Sequence, residues 1–461
     1  MKVSASYLRF HRFREGAYPA TTVSDPAHER YGQHLSPEDI DELIKPSEDG
    51  LDLVHEWLLT NGVDMFDYSP AKDWVDIYIS VADAERLLDT EYSVFQHEDG
   101  SYIVRTPEWS LPKHLFDVVE TVQPTNSFMR STPQKTDWIQ LEEGWTPPGY
   151  KPPTDETIAK ICNIASVTLD CFNTLYGTKG YKQKAVGQAK IGWNNFLNQT
   201  PIRPDINEFL KRYNKPAQLH ALSFESVQIA NGVPAQYWAL SPDQANGPDI
   251  SKEAVLDAET ILGMTWPQPA TSYSTGGSPP FDPDLNTPTD TNEPYLTWVN
   301  YVLHQKHLPQ VISNSYGDDE QSVPRSYAER VCKSFAQLGA RGVSLLVSSG
   351  DGGLGGQDDS LCFTNDGKNS STFLPAFPAG CPYVTAVGAT MQFEPEFPAY
   401  RNPGIGPDGN THGFYASGSG FSNYFPRPSY QDGTVDKYVA ALDGKYEGLY
   451  NCGKFLQSPT R

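Results

Sequence analysis

The stretch that decides the fold runs from Tyr327 to Gly356 and reads YAERVCKSFAQLGARGVSLLVSSGDGGLGG. Its first half places Val331, Phe335 and Leu338 at helical spacing and ends at a glycine, which predicts an amphipathic helix. Its second half is a short apolar run that ends in small and polar residues, which predicts a buried strand. A helix that leads directly into a buried strand is typical of a parallel α/β sheet.

Three further runs have the same strand-like pattern. They are AQLHALSF at 217–224, PQVISNSYG at 309–317 and PYVTAVGAT at 382–390. Helical patterns lie between these runs, so the sequence predicts an α/β domain with a parallel sheet and helices on both faces. In such a sheet, functional residues are expected at the carboxyl ends of the strands.

The first 143 residues predict a smaller α+β domain. One helix is expected from SPEDIDELI at Ser36, where acids follow a capping serine. A second helix, within SEDGLDLVHEWLLTNG, has apolar residues at helical spacing: Leu51, Val54, Leu58 and Leu59. WVDIYIS predicts a half-buried strand, and YSVFQHEDGSYIVRT predicts a hairpin turning at Asp99-Gly100. Strands and helices that alternate in so short a unit favour a ferredoxin-like sandwich.

A proline-rich segment separates the two parts. Residues 144–154 read GWTPPGYKPPT, in which four prolines and two glycines predict a linker without regular structure. A link between two folded units is also where a protease can cut. We therefore divide the chain into a first domain at 1–143, a linker and processing region at 144–165, and a larger domain at 166–461.

The charge balance limits the partners that the protein can have. The 461 residues include 57 acids and 35 lysines and arginines, for a formal net charge of −22. This field repels nucleic acid and anionic membranes, so we expect neither as a partner. Protonation of carboxylates at low pH relieves the self-repulsion, which fits an acidic working compartment. The first 20 residues contain no apolar signal-peptide core, and no stretch approaches the length of a membrane helix.

The cysteines leave two alternatives open. The six are Cys162, Cys171, Cys332, Cys362, Cys381 and Cys452. None belongs to a C-x-x-C pair, so we expect no zinc site. An even number permits up to three disulfides in a secreted chain, whereas six buried thiols would fit a cytosolic protein. N-x-S/T sequons at Asn198 and Asn369 are candidate glycosylation sites.

Gly350, Gly352 and Gly355 spell G-x-G-x-x-G directly after the predicted strand. That spacing is found in dinucleotide-binding turns, and an NAD-dependent oxidoreductase is therefore one hypothesis. A dinucleotide turn must open a helix that binds the pyrophosphate, but the residues after Gly356 have no helical period. We therefore interpret the other feature of this loop, Asp351 at the strand end, as its functional group.

A second acidic feature lies in SKEAVLDAETIL. Glu253 and Asp257 are four residues apart and share one helix face, which Leu256 and Ile261 flank. Two carboxyl groups between apolar neighbours share a proton at acid pH, which suits a general base. The structural alternative is a solvated acidic face, which is common in so acidic a chain.

Histidine, the usual general base, forms no catalytic signature here. The chain has ten histidines, and none belongs to an H-E-x-x-H motif. His304 and His307 follow a helical pattern and are expected at the surface.

Taken together, these pieces resemble the sedolisins, the serine-carboxyl peptidases, and among them the fungal secreted tripeptidyl-peptidases. The resemblance covers nearly the whole chain. SDPAHERYGQHLSPEDI and DWVDIYISVADAERLLDTEYSVF resemble the family's activation propeptide, and VTLDCFNTLYG from Val167 resembles the start of its mature enzyme. EAVLD, VISNSYG, VSSGDGG, FLPAFPAGCPYVTAVGAT and GSGFSNYFPRPSYQ follow in family order.

The resemblance implies a subtilisin-like fold and a Glu/Asp/Ser triad that works at acid pH. By motif, Glu253 is the general base, Asp257 is the acid that orients it, and Asp351 is the oxyanion acid that donates a hydrogen bond to the tetrahedral intermediate. It also implies a secreted, monomeric zymogen with calcium as a cofactor. Its own propeptide would inhibit it, and its substrates would be polypeptides with free N-termini, from which it releases tripeptides.

The chain departs from the family pattern at the nucleophile. No serine stands in a G-T-S motif, so no nucleophile is assigned. Four glycine-flanked serines belong to other segments and are not candidates: Ser278, Ser417, Ser419 and Ser422. The aspartate and carbonyl ligands of the family's calcium site are also not found, so no metal ligand is assigned in this chain. We therefore expect a sheet that is incomplete at its C-terminal end. The chain would be either a truncated gene model of an active peptidase or a catalytically inactive remnant or binding protein of the family.

Overall fold

The computed structural model describes most of the chain, in two folded units. The described residues are 2–7, 19–96, 102–123, 125, 146, 149–238, 251–277, 294–354, 362–400, 404–405, 411–412, 416–446 and 449. Among them, no helix has both the length and the apolar character needed to cross a membrane.

The N-terminal unit has its helices on one antiparallel sheet. Its described elements are β1 (Lys2–Tyr7), α1 (Pro19–Ser24), α2 (Pro37–Ile44), α3 (Glu48–Thr60), β2 (Phe66–Tyr68), β3 (Trp74–Tyr78), α4 (Val81–Leu88), β4 (Ser93–Gln96), β5 (Tyr102–Arg105) and β6 (Val119–Gln123). Four strands pair in the order β2-β3-β1-β6, and all three pairings are antiparallel. This order, with helices after β1 and after β3, is the ferredoxin-like arrangement, so that prediction is confirmed.

The separate hairpin of this unit is made by β4 and β5. These strands pair antiparallel from Ser93↔Arg105 to Gln96↔Tyr102. The predicted turn at Asp99-Gly100 lies outside the described residues.

Helix α3 confirms most, but not all, of its predicted apolar face. Leu51, Val54 and Leu58 are buried as expected, but Leu59 is 51% exposed and Trp57 is buried instead. Each residue advances about 100° around a helix, so Leu59 lies a full step beyond the edge of the buried stripe. The prediction for Leu59 is therefore wrong.

The C-terminal unit is built on a parallel sheet. Its described elements are α5 (Glu156–Ile161), α6 (Leu169–Leu175), β7 (Ile191–Asn195), α7 (Arg203–Tyr213), β8 (Glu225–Ile229), α8 (Lys252–Thr265), β9 (Ala270–Thr275), α9 (Tyr295–Leu303), β10 (Val311–Asn314), β11 (Asp318–Asp319), α10 (Arg325–Ala340), β12 (Ser344–Ser348), β13 (Ala376–Phe377), β14 (Thr385–Val387), β15 (Thr390–Met391), β16 (Phe397–Pro398), β17 (Gly404–Ile405), β18 (Thr411–His412) and α11 (Asp432–Ala441). Six strands pair in the order β14-β12-β10-β7-β9-β8, and every pairing is parallel. The predicted parallel α/β sheet is confirmed.

Helices cover both faces of this sheet. On one face, Trp298 of α9 and Phe335 of α10 join the same buried cluster as Ile312 of β10. On the other face, Leu210 of α7 and Leu262 of α8 join the cluster that contains Trp193 of β7. Because all six strands run in one direction, their carboxyl ends meet at a single edge.

One predicted strand is a helix. The run AQLHALSF falls mostly within a 3₁₀ helix at Lys215–Leu222, and β8 begins only at Glu225. Ala217 and Ala221 are fully buried, but Leu219 between them is 72% exposed, which breaks the alternation that a half-buried strand requires. The run is apolar, as predicted, but its period is not that of a strand.

Helix α10 is buried on two sides, although the sequence predicted only one apolar face. Val331, Phe335 and Leu338 pack toward the sheet, as predicted. Ala336 and Ala340 on the other side pack against the N-terminal unit, in one cluster with Ala20, Ile40, Ile44 and Ala71. The expected glycine stop is present, since Gly342 has a φ of +84°.

Two ion pairs join the N-terminal unit to α10. Arg330 Nη2 lies 2.6 Å from Asp73 Oδ2, and both side chains are almost fully buried. Lys333 Nζ lies 2.6 Å from Glu120 Oε1 at the edge of the contact. Because a buried charge that loses its partner is strongly destabilising, these pairs fix how the two units dock.

Four of the cysteines in the described part of the chain form two disulfides. Cys162 bonds to Cys171, and Cys332 of α10 bonds to Cys381. The alternative of six free thiols is therefore wrong. The first bond crosses the position where we placed the border between 165 and 166, and that border stays a prediction.

Candidate active site

Helix α8 carries the first two predicted site residues, Glu253 and Asp257, one turn apart. The helix is held to the sheet by Ala254, Ala258 and Leu262, which are fully buried. Glu253 and Asp257 lie on the flank of that buried stripe and are half-buried. Leu256, expected to shield the pair, is 50% exposed, so that part of the interpretation is wrong. The shielding comes from the packed sheet side of the helix instead.

Asp257 makes one hydrogen bond that the sequence analysis did not foresee. Ser315 Oγ donates to Asp257 Oδ1 over 2.8 Å, and Asp257 Oδ2 is buried without a hydrogen-bond partner among the described residues. Burial raises the pKa of Asp257 to about 7, and the bond from Ser315 opposes that rise. Ser315 follows β10 directly, so the rule that strand ends carry function could have identified it.

Glu253 is affected by both of the other predicted acids. Burial raises the pKa of Glu253 well above its ordinary value, and the negative charges of Asp257 and then Asp351 raise it further. Asp351 is therefore close enough for its charge to act on Glu253, although it lies almost 100 residues away in the chain. The structure brings all three predicted site acids together.

Asp351 follows β12 and lies at the exposed rim of this site. Burial of its carboxyl group raises the pKa of Asp351. An acid whose pKa is raised keeps its proton to a higher pH, and a protonated carboxyl can donate a hydrogen bond. The three acids can therefore hold, share and donate protons in mildly acidic solution.

Glycines near Asp351 allow the backbone at 416–418 to lie close to the backbone at 349–351. Ala416 N donates to Asp351 O over 2.7 Å, and Gly418 N donates to Gly350 O over 2.7 Å. A Cβ atom on Gly418 would lie 1.8 Å from Ser349 O, so only glycine fits there. From 341 to 428 the described residues contain no helix, so nothing in them offers the helix N-terminus that a dinucleotide needs.

Sequence relatives settle the family. The activation domain of pro-kumamolisin matches residues 6–128. Over 443 residues the chain is 36% identical to tripeptidyl-peptidase SED2 of Arthroderma otae, a match that covers 93% of this chain and 67% of that protein. The chain belongs to the sedolisin family. By family it is a serine peptidase, and its N-terminal unit is an activation domain.

A second relative extends the comparison of this sedolisin with fungal proteins. This chain is 35% identical over 424 residues to tripeptidyl-peptidase sed4 of Aspergillus fumigatus, and the match covers 91% of this chain and 64% of that protein. The chain thus spans about two thirds of the length of these relatives. Among solved structures, sedolisin from Pseudomonas, a serine-carboxyl proteinase in complex with pseudo-iodotyrostatin, gives a TM-score of 0.36 at 20% identity over 56% of this chain and 64% of that one.

The glycine-flanked serines of this sedolisin have structural partners. Ser417 Oγ accepts a hydrogen bond from Ala389 N over 3.2 Å, and Ser422 Oγ donates to the carboxylate of Glu320. Ser419 N donates to Gly353 O over 3.0 Å, which adds to the pairing of the Asp351 loop. Ser278 lies outside the described residues.

Glu320 is a second buried carboxyl group that the sequence analysis missed. Besides Ser422, it accepts from Asn423 N over 2.6 Å and from Tyr424 N over 3.2 Å. Burial raises the pKa of Glu320 to about 7, and these three bonds oppose the rise. Glu320 thereby anchors the segment whose first part, at 416–419, pairs with the Asp351 loop. No spacing rule in the sequence indicated it.

The remaining predicted residues fall at the surface. His304 and His307 are exposed, as expected. Asn198 and Asn369 are exposed and have positive φ angles, and their glycosylation stays a prediction. In the part of the chain that the structure describes, no group of three or more His, Cys, Asp or Glu side chains could hold a metal ion.

Proposed function

We propose that the protein is an acid serine-carboxyl peptidase that releases tripeptides from the free N-termini of polypeptides. The observation that carries the proposal is the meeting of Glu253, Asp257 and Asp351 at one edge of the sheet, with the pKa of each raised. The names of the two fungal relatives, both tripeptidyl-peptidases, support the substrate class.

The three acids would divide the proton transfers of peptide hydrolysis. Glu253 accepts the proton of the nucleophilic serine and returns it to the leaving amine. Asp257 is fixed by Ser315 at Oδ1, which leaves Oδ2 to share a proton with Glu253 and hold it in position. Asp351 in its protonated form donates a hydrogen bond to the oxyanion. No residue of this chain is assigned as the nucleophile.

The N-terminal unit would keep the enzyme as a zymogen. It docks on α10 through the Arg330–Asp73 pair and the alanine contacts of Ala336 and Ala340. Peptidase activation domains commonly act as inhibitors of their own enzyme, so we propose that this unit inhibits the protein until it is removed. A single catalytic unit with its own inhibitor needs no second copy, so the proposed form is a monomer.

Secretion is proposed on the cysteine chemistry. Cys162–Cys171 and Cys332–Cys381 are disulfides, which persist in oxidising, extracellular conditions. The exposed sequons at Asn198 and Asn369 are consistent with such a route. Calcium, which the family resemblance implies, has no fitting set of acidic ligands among the described residues, and no step of the proposed reaction depends on it.

The proposal is tested by hydrolysis of a chromogenic tripeptide with a free N-terminus from about pH 4 upward to about pH 7, because the pKa of each of the three acids is raised above the ordinary carboxyl range. We expect turnover by the activated protein and none from an N-acetylated substrate. Glu253→Gln removes the base and should lower kcat by a factor of about a hundred or more. Glu259→Gln is the matched control, since Glu259 is a half-buried acid on the same helix outside the triad.

The rival function is that of a catalytically inactive or binding protein of the same family. A folded protein with no turnover, which still binds the tripeptide product in calorimetry, would favour that rival for this chain. Equal loss of activity in Glu253→Gln and Glu259→Gln would contradict the assigned role of Glu253.

A further inference from the structure

A short segment between the two units is held by the C-terminal unit. We call residues 149–165 the arm; it includes α5. Glu394, before β16, accepts hydrogen bonds from Thr154 N and Asp155 N, each over 2.7 Å, and from Thr154 Oγ1 over 3.0 Å. One carboxylate therefore takes three donors at the start of α5, where two backbone N–H groups need acceptors.

Apolar contacts continue the same attachment. Tyr150 lies edge-on to Phe393 with ring centroids 6.5 Å apart. Phe393 is buried in a cluster with Cys162 and Cys171, against which Ile158 and Ile161 of α5 pack. The arm thus fills one side of a small core whose other side is the loop before β16.

A covalent bond closes the attachment. Cys162 ends the arm's helix, and its disulfide partner Cys171 lies in α6 and is fully buried. Helix α6 is in turn packed on the catalytic helix, because Leu169 fills the space beside Gly263 of α8. The disulfide therefore ties the arm to the element that carries Glu253 and Asp257.

These contacts limit where the zymogen can be cut. Hydrolysis of a peptide bond adds water, leaving a carboxyl group on one fragment and an amino group on the other. A cut between Cys162 and Cys171 would leave the N-terminal fragment attached through the disulfide. A cut inside α5 would break the helix whose N-cap residue, Asp155, is bound by Glu394. Only a cut before the arm releases the N-terminal unit with these contacts intact.

We propose that residues 149–165 are an N-terminal arm of the mature peptidase, clasped by Glu394 and tethered by Cys162–Cys171, and are not part of the discarded propeptide. The inference rests on the proposed function in one respect, namely that the chain is processed at all. It places the retained N-terminus upstream of the family-like start at Val167, and it assigns the arm a structural partner, the loop at 392–394.

Hydrogen–deuterium exchange of the full chain tests the clasp without any need for activity. We expect the amides of α5 to exchange slowly, and Glu394→Ala to speed exchange at 154–158 by about tenfold. Glu396→Ala is the matched control, because Glu396 lies two residues away and accepts from Tyr176 and Thr390 instead of the arm. Fast exchange of α5 in the unaltered chain, or equal effects of the two variants, would overturn the clasp.

The position of the cut is tested by N-terminal sequencing after incubation in acid and, separately, with added thermolysin. We expect a mature chain that begins at or before Gly149 and from which reductant releases no fragment. A stable product that begins after Ile161 would overturn the arm. A chain that fails to process itself would count against the proposed peptidase alone, because the added protease still shows whether the bonds at 149–161 survive as long as the domain.

Discussion

Two buried carboxyl groups in this molecule differ in one respect that distinguishes a structural role from a catalytic one. Asp257 and Glu320 each have a pKa raised to about 7, and burial is the main cause in both. Glu320 accepts three hydrogen bonds, shared between its two oxygens. Within the described parts of the chain, Asp257 accepts one, from Ser315, and its Oδ2 has no partner. The perturbed pKa is common to both residues, whereas the unused oxygen belongs to Asp257 alone.

A raised pKa therefore indicates only that an acid is buried. A carboxylate oxygen that lacks a hydrogen bond and lies beside another acid indicates a functional site. Glu259 makes the same point, since burial and the charge of Asp205 raise the pKa of Glu259 to about 7 without any link to Asp351. Buried polar atoms are almost always paired in folded proteins. An unpaired carboxylate oxygen next to Glu253 is therefore the more specific sign of function.

The largest expected effect follows from removing the carboxylate of Glu320, which accepts hydrogen bonds at both oxygens. Glu320→Ala removes the acceptor of Ser422 Oγ and Asn423 N, whereas Tyr424 N keeps Ser422 Oγ at 3.1 Å. Donors that lose their acceptor in a folded protein are costly. We expect the free energy of unfolding to fall by about 3 kcal/mol, measured from urea denaturation at neutral pH. Loosening of the 416–424 segment should also expose the Asp351 loop to faster amide exchange.

Glu208→Ala is the control for this change, because Glu208 is exposed and forms a surface ion pair with Lys211. Its effect should stay within about 0.5 kcal/mol. If Glu320→Ala were equally mild, Glu320 would not be the anchor of the segment, and the comparison with Asp257 would fail.

A smaller effect is the pH dependence of stability that Asp257 and Glu320 cause. A folded-state pKa above the unfolded value means that the native state holds the extra proton between about pH 4 and pH 7. Stability therefore falls as pH rises through that window, and each group contributes at most about 1.4 kcal/mol per pH unit. Asp257→Asn removes a buried charge and should flatten the fall, so we expect the variant to gain about 2 kcal/mol relative to the unaltered protein between pH 4 and pH 7.

Glu320→Gln should also reduce the loss of stability between pH 4 and pH 7. Its stability should be lower at the start, because an amide cannot accept all three bonds of Glu320. Unfolding free energies of both variants, measured from pH 4 to pH 8, give the two slopes. A stability that rises with pH in the unaltered protein would show that these acids are not the buried groups that dominate its titration.

Most of the fold could be predicted because its signals are local. The helix and strand within 327–348 have the periods that packing on a sheet requires, and the ferredoxin-like order followed from alternating elements. The errors have the same origin. At Leu59 and at Leu219 in AQLHALSF, an apolar residue type was taken for a buried position, but both side chains are exposed. The angular step around α3 explains the first, and the helical rather than extended backbone explains the second.

The site could be predicted only in part, because its geometry depends on contacts between distant segments. The spacing of Glu253 and Asp257 gives their shared helix face, but not the charge of Asp351 that acts on Glu253 from another strand end. Ser315 could have been identified as a strand-end residue, but its bond to Asp257 depends on how β10 lies beside α8. The contacts of Glu320 likewise depend on the position of the 416–424 segment. The burial of the outer side of α10 likewise depends on the docking of the N-terminal unit. The periodicity of the sequence within α10 contains no information about that contact.

The smallest expected effect tests the single bond that distinguishes Asp257. Ser315→Ala removes the donor to Asp257 Oδ1, which stabilises the charged carboxylate, so the pKa of Asp257 should rise further. We expect a loss of about 1 kcal/mol in unfolding free energy near pH 8, where Asp257 is charged, and a smaller loss near pH 5, where it is protonated. Ser315→Thr keeps the hydroxyl and should restore the pH dependence. A loss that is the same at both pH values would mean that Ser315 only fills space, and Asp257 would then lose its one distinguishing partner.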